Sequence, residues 1–448
     1  MSNSDIFTFN PDYFFSRLER LINFALKQGA TEAQIYLLNS DDFSVEVRNS
    51  NIQELNKSIS TNLAIKILVE DKVATASSSD LRDEVIETLI KNAIKRAQYS
   101  EPDPFAKLAD FVTNDFKVDQ LEIYDNEVEL IDPDFKIQQA KELERIALLD
   151  KRIKVSDGSM YGTSISEVFI VNSKGLKGSF RSSSVGVGIH LHAGDDDNMF
   201  EDGYWFNAVK LQNMISVETI AQKAIERVTR LIGARKIPSG NFPVIFEPNI
   251  ASSLFGFLAA CLSGGNIYMN RSYLANKLNE KIASSKLNIV DNGRVKGGIG
   301  TIPFDSDGTP TKENVIIENG VLKNYLLGTY SARKLGLKST GNASGPTNFI
   351  IQPENNSQED LIKSTDKGIL ITNLIGQGTD TTTGDISKGA FGIMIEKGEL
   401  TFPVAEITIS GNLNTILNNI EMIANNPDKT RSIQSPAIKI SEISVSGM

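Results

Sequence analysis

The pattern of apolar residues changes near residue 237, and this change constrains the fold more than any other feature. Residues 1–237 contain amphipathic helical segments between groups of strands, whereas residues 238–448 are rich in glycine, short apolar runs and turn signals. Ile237-Pro-Ser-Gly240 marks the break. Helices and strands in separate groups are typical of α+β folds. We therefore predict an α+β protein: an N-terminal α/β domain with helices on mixed sheets, then a β-rich C-terminal domain.

Four segments of the N-terminal domain have apolar residues at helical spacing. They predict helices over 13–28, 81–98, 134–150 and 216–232, the second capped by Ser79-Asp80. Alternating or continuous apolar runs predict strands at 35–38, 43–47, 63–69, 153–156, 165–172 and 178–193. Residues 100–133 contain Pro102, Pro104 and Pro133 and many acidic residues, with weak periodicity. We expect a surface connection there.

The C-terminal domain carries three local signals. Apolar spacing predicts a helix over 249–262 with Asn249 as its N-cap, and a last helix over 412–424. Glu318-Asn-Gly320 separates two apolar runs, and Asn-Gly in that position is the strongest short signal of a β-hairpin. We expect short strands and turns over most of 289–410.

The 448-residue chain is acidic, with 46 Lys plus Arg, 56 Asp plus Glu and a formal net charge of −10. Domains that bind nucleic acid usually present a basic patch, so this balance argues against nucleic acid as a direct partner. The longest strongly apolar run, residues 254–262, is far shorter than the roughly 20 residues of a membrane-spanning helix. Because the first residues also lack a leader pattern, we expect a cytoplasmic protein without membrane contact.

The chain contains only two histidines, His190 and His192, and one cysteine, Cys261. This excludes a centre built from many histidines or cysteines, and Cys261 is expected to be a small core residue. Side chains alternate along a strand, so His190 and His192 share one face, and Asp195-Asp-Asp197 follows them. Two imidazoles with a carboxylate can bind a metal. The same pattern also fits a strand with two solvent-facing histidines before an acidic loop, and both interpretations remain open.

Asp305-Ser-Asp307-Gly-Thr309 has the spacing of a phosphatase nucleophile motif. That chemistry needs the first aspartate at the end of a buried parallel strand, free to attack phosphorus. Here a glycine-rich run precedes Asp305 and Pro310 follows the motif, so an acidic turn fits better. A calcium loop is also disfavoured, because the third oxygen ligand and the terminal Glu are missing.

Several short sequence segments, which we call landmarks, occur in a fixed order along nearly the whole chain. In the N-terminal half they are Gly29-Ala-Thr-Glu-Ala33, Ser44-Val-Glu-Val-Arg-Asn49 and Ala76-Ser-Ser-Ser-Asp80. In the C-terminal half they are Leu262-Ser-Gly-Gly265, Pro303-Phe-Asp305 with Gly308, Glu318-Asn-Gly-Val-Leu-Lys323, Tyr330-Ser-Ala-Arg-Lys-Leu-Gly336, Ser339-Thr-Gly-Asn-Ala343 and Ile409-Ser-Gly-Asn-Leu413. In these landmarks the chain resembles the TldD/PmbA family, and specifically its PmbA (TldE) branch. That family carries the older name modulator of DNA gyrase, but no residue pattern here supports contact with DNA or gyrase.

The resemblance also carries information about zinc. The catalytic TldD branch is a zinc peptidase with His-Glu-x-x-x-His on a helix and a later cysteine ligand. On this chain the first His falls at Phe255, the Glu at Gly256 and the second His at Ala260. The later ligand falls near Ser387, where no cysteine occurs. Because these residues neither bind zinc nor transfer protons, the resemblance implies no cofactor in this chain and zinc only in a TldD-type partner.

The resemblance implies a non-catalytic subunit that pairs with a TldD-like metallopeptidase subunit and helps to form a cleft for proteolysis of peptides or unfolded segments. Asn270, Asp305 and Ser387 are the candidate cleft residues. An extended peptide could bind to this chain by adding a strand to an exposed sheet edge. The alternative is a homodimeric binding or adaptor protein without peptidase activity. A third hypothesis, an independent hydrolase, would use either the histidine pair or the acidic turn.

Overall fold

The structure is a computed structural model that describes residues 9–110, 117–195 and 198–447. The helices of its N-terminal half are α1 (Pro11–Lys27), α2 (Asp83–Tyr99), α3 (Asn126–Glu129), α4 (Pro133–Ala147) and α5 (Val217–Thr229). The strands of that half are β1 (Glu32–Arg48), β2 (Asn51–Val69), β3 (Lys72–Ser78), β4 (Ile153–Asn172), β5 (Lys177–Asp195) and β6 (Asn198–Ala208). These strands form one six-stranded sheet in the order β3-β2-β1-β4-β5-β6.

The first sheet is antiparallel at every pairing between its described strands. The mixed pairing expected in this half is therefore wrong for this sheet, because its consecutive strands are joined by turns or by helices that return the chain antiparallel. The two strands predicted at 153–156 and 165–172 are parts of the single strand β4. The glycines and serines between them suppress the apolar pattern, while pairing to both neighbours keeps the segment extended.

One face of the first sheet is covered by two helix pairs. Along β1, Ile35 and Leu37 pack with α1 and α2, and Val45 and Val47 pack with α4 and α5. The segment before α4 contributes the buried Leu121 to the opposite face, where it belongs to one apolar cluster with Phe180. The opposite face receives Phe304 from the C-terminal half, whose ring lies 5.2 Å from that of Phe180. The two halves of the chain therefore share a small core at one end of this face.

The C-terminal half begins at β7 (Gly240–Phe246). Its helices are α6 (Pro248–Cys261), α7 (Gly264–Tyr268), α8 (Thr329–Lys334), α9 (Gln358–Lys363) and α10 (Leu413–Asn418). Its other strands are β8 (Ile289–Asn292), β9 (Glu313–Glu318), β10 (Val321–Leu322), β11 (Phe349–Ile351), β12 (Lys367–Ile375), β13 (Thr379–Asp380), β14 (Asp385–Glu396), β15 (Glu399–Asn412), β16 (Ile420–Ile423), β17 (Ile433–Gln434) and β18 (Ile438–Ser446). The predicted α+β class with a β-rich second half is confirmed.

Two sheets build the C-terminal half. One has the order β10-β9-β8-β11-β17, and the other has the order β12-β7-β18-β15-β14-β13. An additional pairing between β12 and β14 closes the second sheet into a ring. The largest apolar core of the described residues lies in this half and includes most of α6. Helix α6 thus packs against the closed second sheet, and this packing fixes the orientation of the helix.

The local predictions for this half have different outcomes. The hairpin at Asn319-Gly320 is confirmed, with φ of 50° and 78° at these residues and pairing of β9 with β10. The helix predicted over 412–424 is wrong in its second half, because α10 ends at Asn418 and β16 follows. β16 pairs with β18, and a strand pairing with a distant segment overrides the local helical spacing.

The predicted N-caps at Asp80 and Asn249 are wrong. Helix α2 begins at Asp83, and the Asp80 carboxylate instead accepts hydrogen bonds from Arg82. Helix α6 begins at Pro248, which suits the first helical position because proline lacks the N–H that would be unpaired there. The preceding residue, Glu247, turns its carboxylate to Arg230 after α5, with nitrogen–oxygen distances of 2.6 and 2.8 Å. This ion pair joins the two halves at the start of α6.

Among the described residues, no helix combines the length and the apolar character that a membrane crossing requires.

Candidate functional site

Helix α6 has one narrow strip of accessible residues, which consists of Ser253, Gly256 and Ala260. Ser253 and Ala260 are exposed and Gly256 is half-buried, whereas the helix residues between them are buried. A side chain at Gly256 would meet no atom within 4 Å, so open space lies above the middle of the helix. The strip carries one hydroxyl and no imidazole, carboxylate or thiol. It therefore offers no group that could ligate zinc or act as a general base.

The inward face of α6 is purely structural. Phe255, which the sequence resemblance places at the first zinc ligand, is fully buried in the core of the C-terminal half. Cys261 is also fully buried, and burial raises the pKa of its thiol to about 12. A buried neutral thiol does not act as a metal ligand, because the thiolate is the binding form. The residues of α6 do not fit a zinc ion.

A cleft separates α6 from the first sheet. It contains a cavity of about 280 Å³. The first half lines it with His190, Asp202, Gly203, Tyr204, Trp205 and Arg227, and the second half with Asn249, Ile250, Ser253, Asn373, Leu374, Asp428 and Arg431. The Arg431 guanidinium donates to the Asp428 carboxylate at 3.1 Å. The cleft is thus lined by aromatic and charged side chains, and at Gly203 by the backbone itself.

Asp305 lies away from this cleft, inside a turn. Its side chain is 1% exposed, and its carboxylate accepts backbone N–H groups of Asp307, Thr309 and Ala343 at 2.9–3.0 Å. Burial raises the pKa of Asp305 to about 7, and the neighbouring charge of Asp307 adds to this effect. The Asp307 carboxylate in turn accepts the backbone N–H of Thr329 at the start of α8. Both aspartates therefore hold backbone segments together.

The other two cleft candidates, Asn270 and Ser387, lie at the surface. Asn270 is exposed, with φ of 53°, in the loop after α7. Three residues later the Tyr273 N–H donates to the Thr381 carbonyl at 3.0 Å, which ties this loop to the turn before β14. Ser387 is exposed on β14, and its N–H donates to the Gly378 carbonyl. The structure thus buries Asp305 in a turn and exposes Asn270 and Ser387.

His190 and His192 lie close to two side chains with carboxylate groups. They project from β5 on the face turned toward the cleft, together with Asp157 of β4 and Glu201 of β6. One ligand atom from each of these four residues lies within 4.8 Å of the others. We call this group the histidine cluster (Asp157, His190, His192 and Glu201). Asp196 and Asp197, also noted in the sequence, lie outside the described residues.

Asp157 is the centre of the histidine cluster. Its Oδ2 lies 2.6 Å from His192 Nε2 and 3.3 Å from His190 Nδ1. Burial alone would raise the pKa of Asp157, but the hydrogen bonds from the two imidazoles outweigh burial and lower it. The Arg48 guanidinium lies 3.8 Å from the other carboxylate oxygen. The carboxylate is thus held in its charged form between three nitrogen groups.

A β-bulge brings Asp157 to this face. On β4, Ser156 opposes Leu191 and Gly158 opposes His190, so Asp157 is an extra residue without a partner on β5. An extra residue shifts the alternation by one and sends a side chain to the opposite face. Gly158 has φ of 133°, and a side chain there would press against Glu46 and the Val47 carbonyl.

The sequence interpretation missed Asp157 and Glu201, although signals for both exist. An Asp-Gly pair inside an extended segment is a typical sign of a bulge. Glu201 opposes His192 in the hairpin whose register runs to Asp195 and Asn198. Counting back from that turn would have placed Glu201 beside His192.

Comparisons with known proteins match the chain in consecutive parts. Models of the PmbA/TldA metallopeptidase family match in three parts: domain 1 at residues 33–97, the central domain at 126–232 and the C-terminal domain at 239–447. The boundary predicted at 237 stays a prediction.

Named relatives cover nearly the whole chain. The metalloprotease PmbA of Escherichia coli O157:H7 is 30% identical over 96% of this chain and 96% of its own length. A metalloprotease PmbA homologue of Buchnera aphidicola from Acyrthosiphon pisum is 34% identical over 92% and 93%. A crystal structure of a candidate modulator of DNA gyrase from Bacteroides thetaiotaomicron has a TM-score of 0.90 at 30% identity, covering 96% of this chain and 98% of that chain.

A more distant structure, TldE from Thermococcus kodakarensis, shares the fold with a TM-score of 0.85 at 24% identity, over 96% of this chain and all of that chain. The resemblance stated from the sequence landmarks is confirmed by the three family models and by the named relatives. This chain belongs to the TldD/PmbA metallopeptidase family.

Proposed function

We propose that this chain is a non-catalytic subunit of a TldD/PmbA-type metallopeptidase that acts in proteolysis of peptides or unfolded segments. One observation carries the proposal: the accessible strip of α6 (Ser253, Gly256 and Ala260) has no zinc ligand and no general base. Peptide hydrolysis by a zinc enzyme needs both, because zinc activates the water and a base removes its proton. The relatives' names support the link to proteolysis, and the strip supports the lack of catalysis in this subunit.

The catalytic zinc in this proposal belongs to a TldD-like partner that carries His-Glu-x-x-x-His. This chain contributes the wall of the cleft between α6 and the first sheet. Open space above Gly256 leaves room for an extended backbone along the helix. The aromatic Trp205 and the polar Asn249 and Ser253 line the neighbouring cavity, which suits a peptide with both apolar and polar groups. The net charge of −10 supports a peptide rather than nucleic acid as ligand.

The test uses the full chain and the His-Glu-x-x-x-His homologue from the same genome, purified separately and then mixed. Cleavage of an unfolded peptide library is followed by mass spectrometry for each protein alone and for the mixture. We expect no cleavage by this chain alone and cleavage by the mixture. We also expect loss of that cleavage when the partner's motif Glu is replaced by Gln.

A variant of this chain tests the role of the cleft. Ala260→Arg places a long side chain in the accessible strip and should reduce cleavage by the mixture without changing folding. Gln98→Arg adds the same side chain to the exposed surface of α2 and serves as the matched control. Cleavage by the chain alone would overturn the proposal. A stable homodimer that neither binds the homologue nor alters its activity would favour the binding or adaptor alternative.

A further inference from the structure

We infer that the histidine cluster is a binding site for a divalent transition metal of the zinc type. The proposal concerns a site on the first sheet, separate from α6 and from any catalytic zinc of a partner. It therefore stands or falls independently of the proposed function. Three neighbouring strands, β4, β5 and β6, bring two imidazoles and two carboxylates together.

Two features of the backbone assemble the donors. The bulge at Ser156–Gly158 moves Asp157 to the face that carries the histidines. The hairpin register of β5 and β6 sets Glu201 beside His192. Gly203 opposes His190, and a side chain there would lie 2.9 Å from the His190 ring. Glycine at that position leaves the imidazole free to rotate.

The donor set matches one class of metal. Two imidazoles and two carboxylates suit zinc and its neighbours, whereas magnesium and calcium prefer oxygen ligands alone. Ligands of a tetrahedral zinc ion lie about 2.0–2.2 Å from the metal, so they are roughly 3.3 Å from one another. The cluster's ligand atoms lie within 4.8 Å of each other. Since its side chains are exposed or half-buried, small rotations can close that difference.

The hydrogen bonds within the cluster allow a metal ion to replace protons. Asp157 Oδ2 forms hydrogen bonds with both imidazoles, so the proton between each pair would leave when the metal binds. A carboxylate that hydrogen-bonds an imidazole also fixes the orientation of the ring. Arg48 approaches only the second oxygen of Asp157 and is 44% exposed, so it can move away without a buried charge remaining. The hydrogen-bonding nitrogens and oxygens of the cluster are all available as ligands.

The first test measures zinc binding by the full chain, prepared without a histidine tag and dialysed against chelator. We expect isothermal titration to give one zinc ion per chain and no binding of magnesium. Because the chain has only two histidines, both imidazole signals in a nitrogen–proton NMR spectrum should shift as zinc is added. Substoichiometric binding, or zinc binding that leaves either imidazole signal unchanged, would overturn the inference.

Variants locate the site. His192→Asn and Asp157→Asn should each weaken zinc binding by more than about tenfold, since even outer-shell changes at metal sites cost 10–100-fold. Asp195→Asn removes an exposed carboxylate from the same strand outside the cluster, and it should bind zinc as the unchanged chain does. Equal losses in all three variants would contradict the site. The imidazole spectrum of the unchanged chain decides the question even if a variant fails to fold.

Discussion

Helix α6 and His190 of the histidine cluster line the same cleft, but the helix and the cluster differ in the metal-binding groups that they carry. On α6, Phe255, which the resemblance places at the first zinc-ligand position, is fully buried, and the accessible strip has no ligand group. On the first sheet, two imidazoles and two carboxylates gather at an accessible surface. Most side chains of α6 pack in the core of the C-terminal half. The ligand groups of the histidine cluster belong to no apolar core and are accessible to a metal ion.

The same contrast separates two aspartates. Asp305 belongs to a family landmark, yet it is buried, accepts three backbone N–H groups and has a raised pKa. Asp157 belongs to no landmark in the sequence, yet it lies among three nitrogen groups and has a lowered pKa. The landmarks of this chain therefore identify its fold and family, and accessible donors have to be found from geometry. Substitutions in the two regions should have opposite effects on stability and binding.

The largest effect is expected in α6. Phe255→Ala should lower the free energy of unfolding by about 3–5 kcal/mol, because it leaves a cavity in a core that surrounds the ring on all sides. Chemical denaturation of the full chain, followed by circular dichroism, measures the change.

The adjacent residue supplies the matched control. Gly256→Ala should raise the free energy of unfolding by about 0.5–1 kcal/mol, because alanine restricts the unfolded chain and its methyl group meets open space. If Phe255→Ala cost no more than a surface substitution, the assignment of α6 to packing would be wrong.

The next largest effect concerns Asp305 and pH. Its pKa is about 7 in the folded chain, against a usual value of 3.8. The folded state therefore retains the proton at pH 5, where the unfolded state has lost it. This stabilisation is fully present below the unfolded pKa and is lost as the pH rises through 7, by about 2–3 kcal/mol between pH 5 and pH 8.

Asp305→Asn isolates that contribution from the other titrating groups. The variant is less stable overall, because an amide cannot accept every backbone N–H that the carboxyl group accepts. Its difference from the unchanged chain should be larger at pH 5 than at pH 8. Urea unfolding of both chains at the two pH values measures this. A difference that does not depend on pH would show that Asp305 is ionised throughout.

Part of the fold could be predicted because it depends on local chemistry. The hairpin at Asn319-Gly320 follows from two residues that adopt positive φ with little strain. Four of the five helices described in the N-terminal half follow from apolar spacing, and the short α3 does not. Other features depend on distant partners: β16 is a strand because β18 pairs with it, although its local spacing is helical.

The candidate site divides in the same way. The lack of zinc ligands at Phe255 and Ala260 and of the general base at Gly256 is a prediction from the resemblance, and it needs only residue identity. The burial of Phe255 could not be seen, since it depends on the strands around α6. Asp157 was missed because a single extra residue in β4 reverses which face its side chain occupies.

The smallest effect on stability is expected in the histidine cluster itself. Without metal, the double substitution His190→Asn and His192→Asn should change the free energy of unfolding by less than about 1 kcal/mol, because partly exposed polar pairs near the surface contribute little. With zinc at 100 times its dissociation constant, the unchanged chain should gain about 2.7 kcal/mol by mass action. The double variant should gain none, because the two imidazoles are absent. Urea unfolding with chelator and with zinc measures both quantities, and a large loss in chelator would mean that the histidines serve packing, as α6 does.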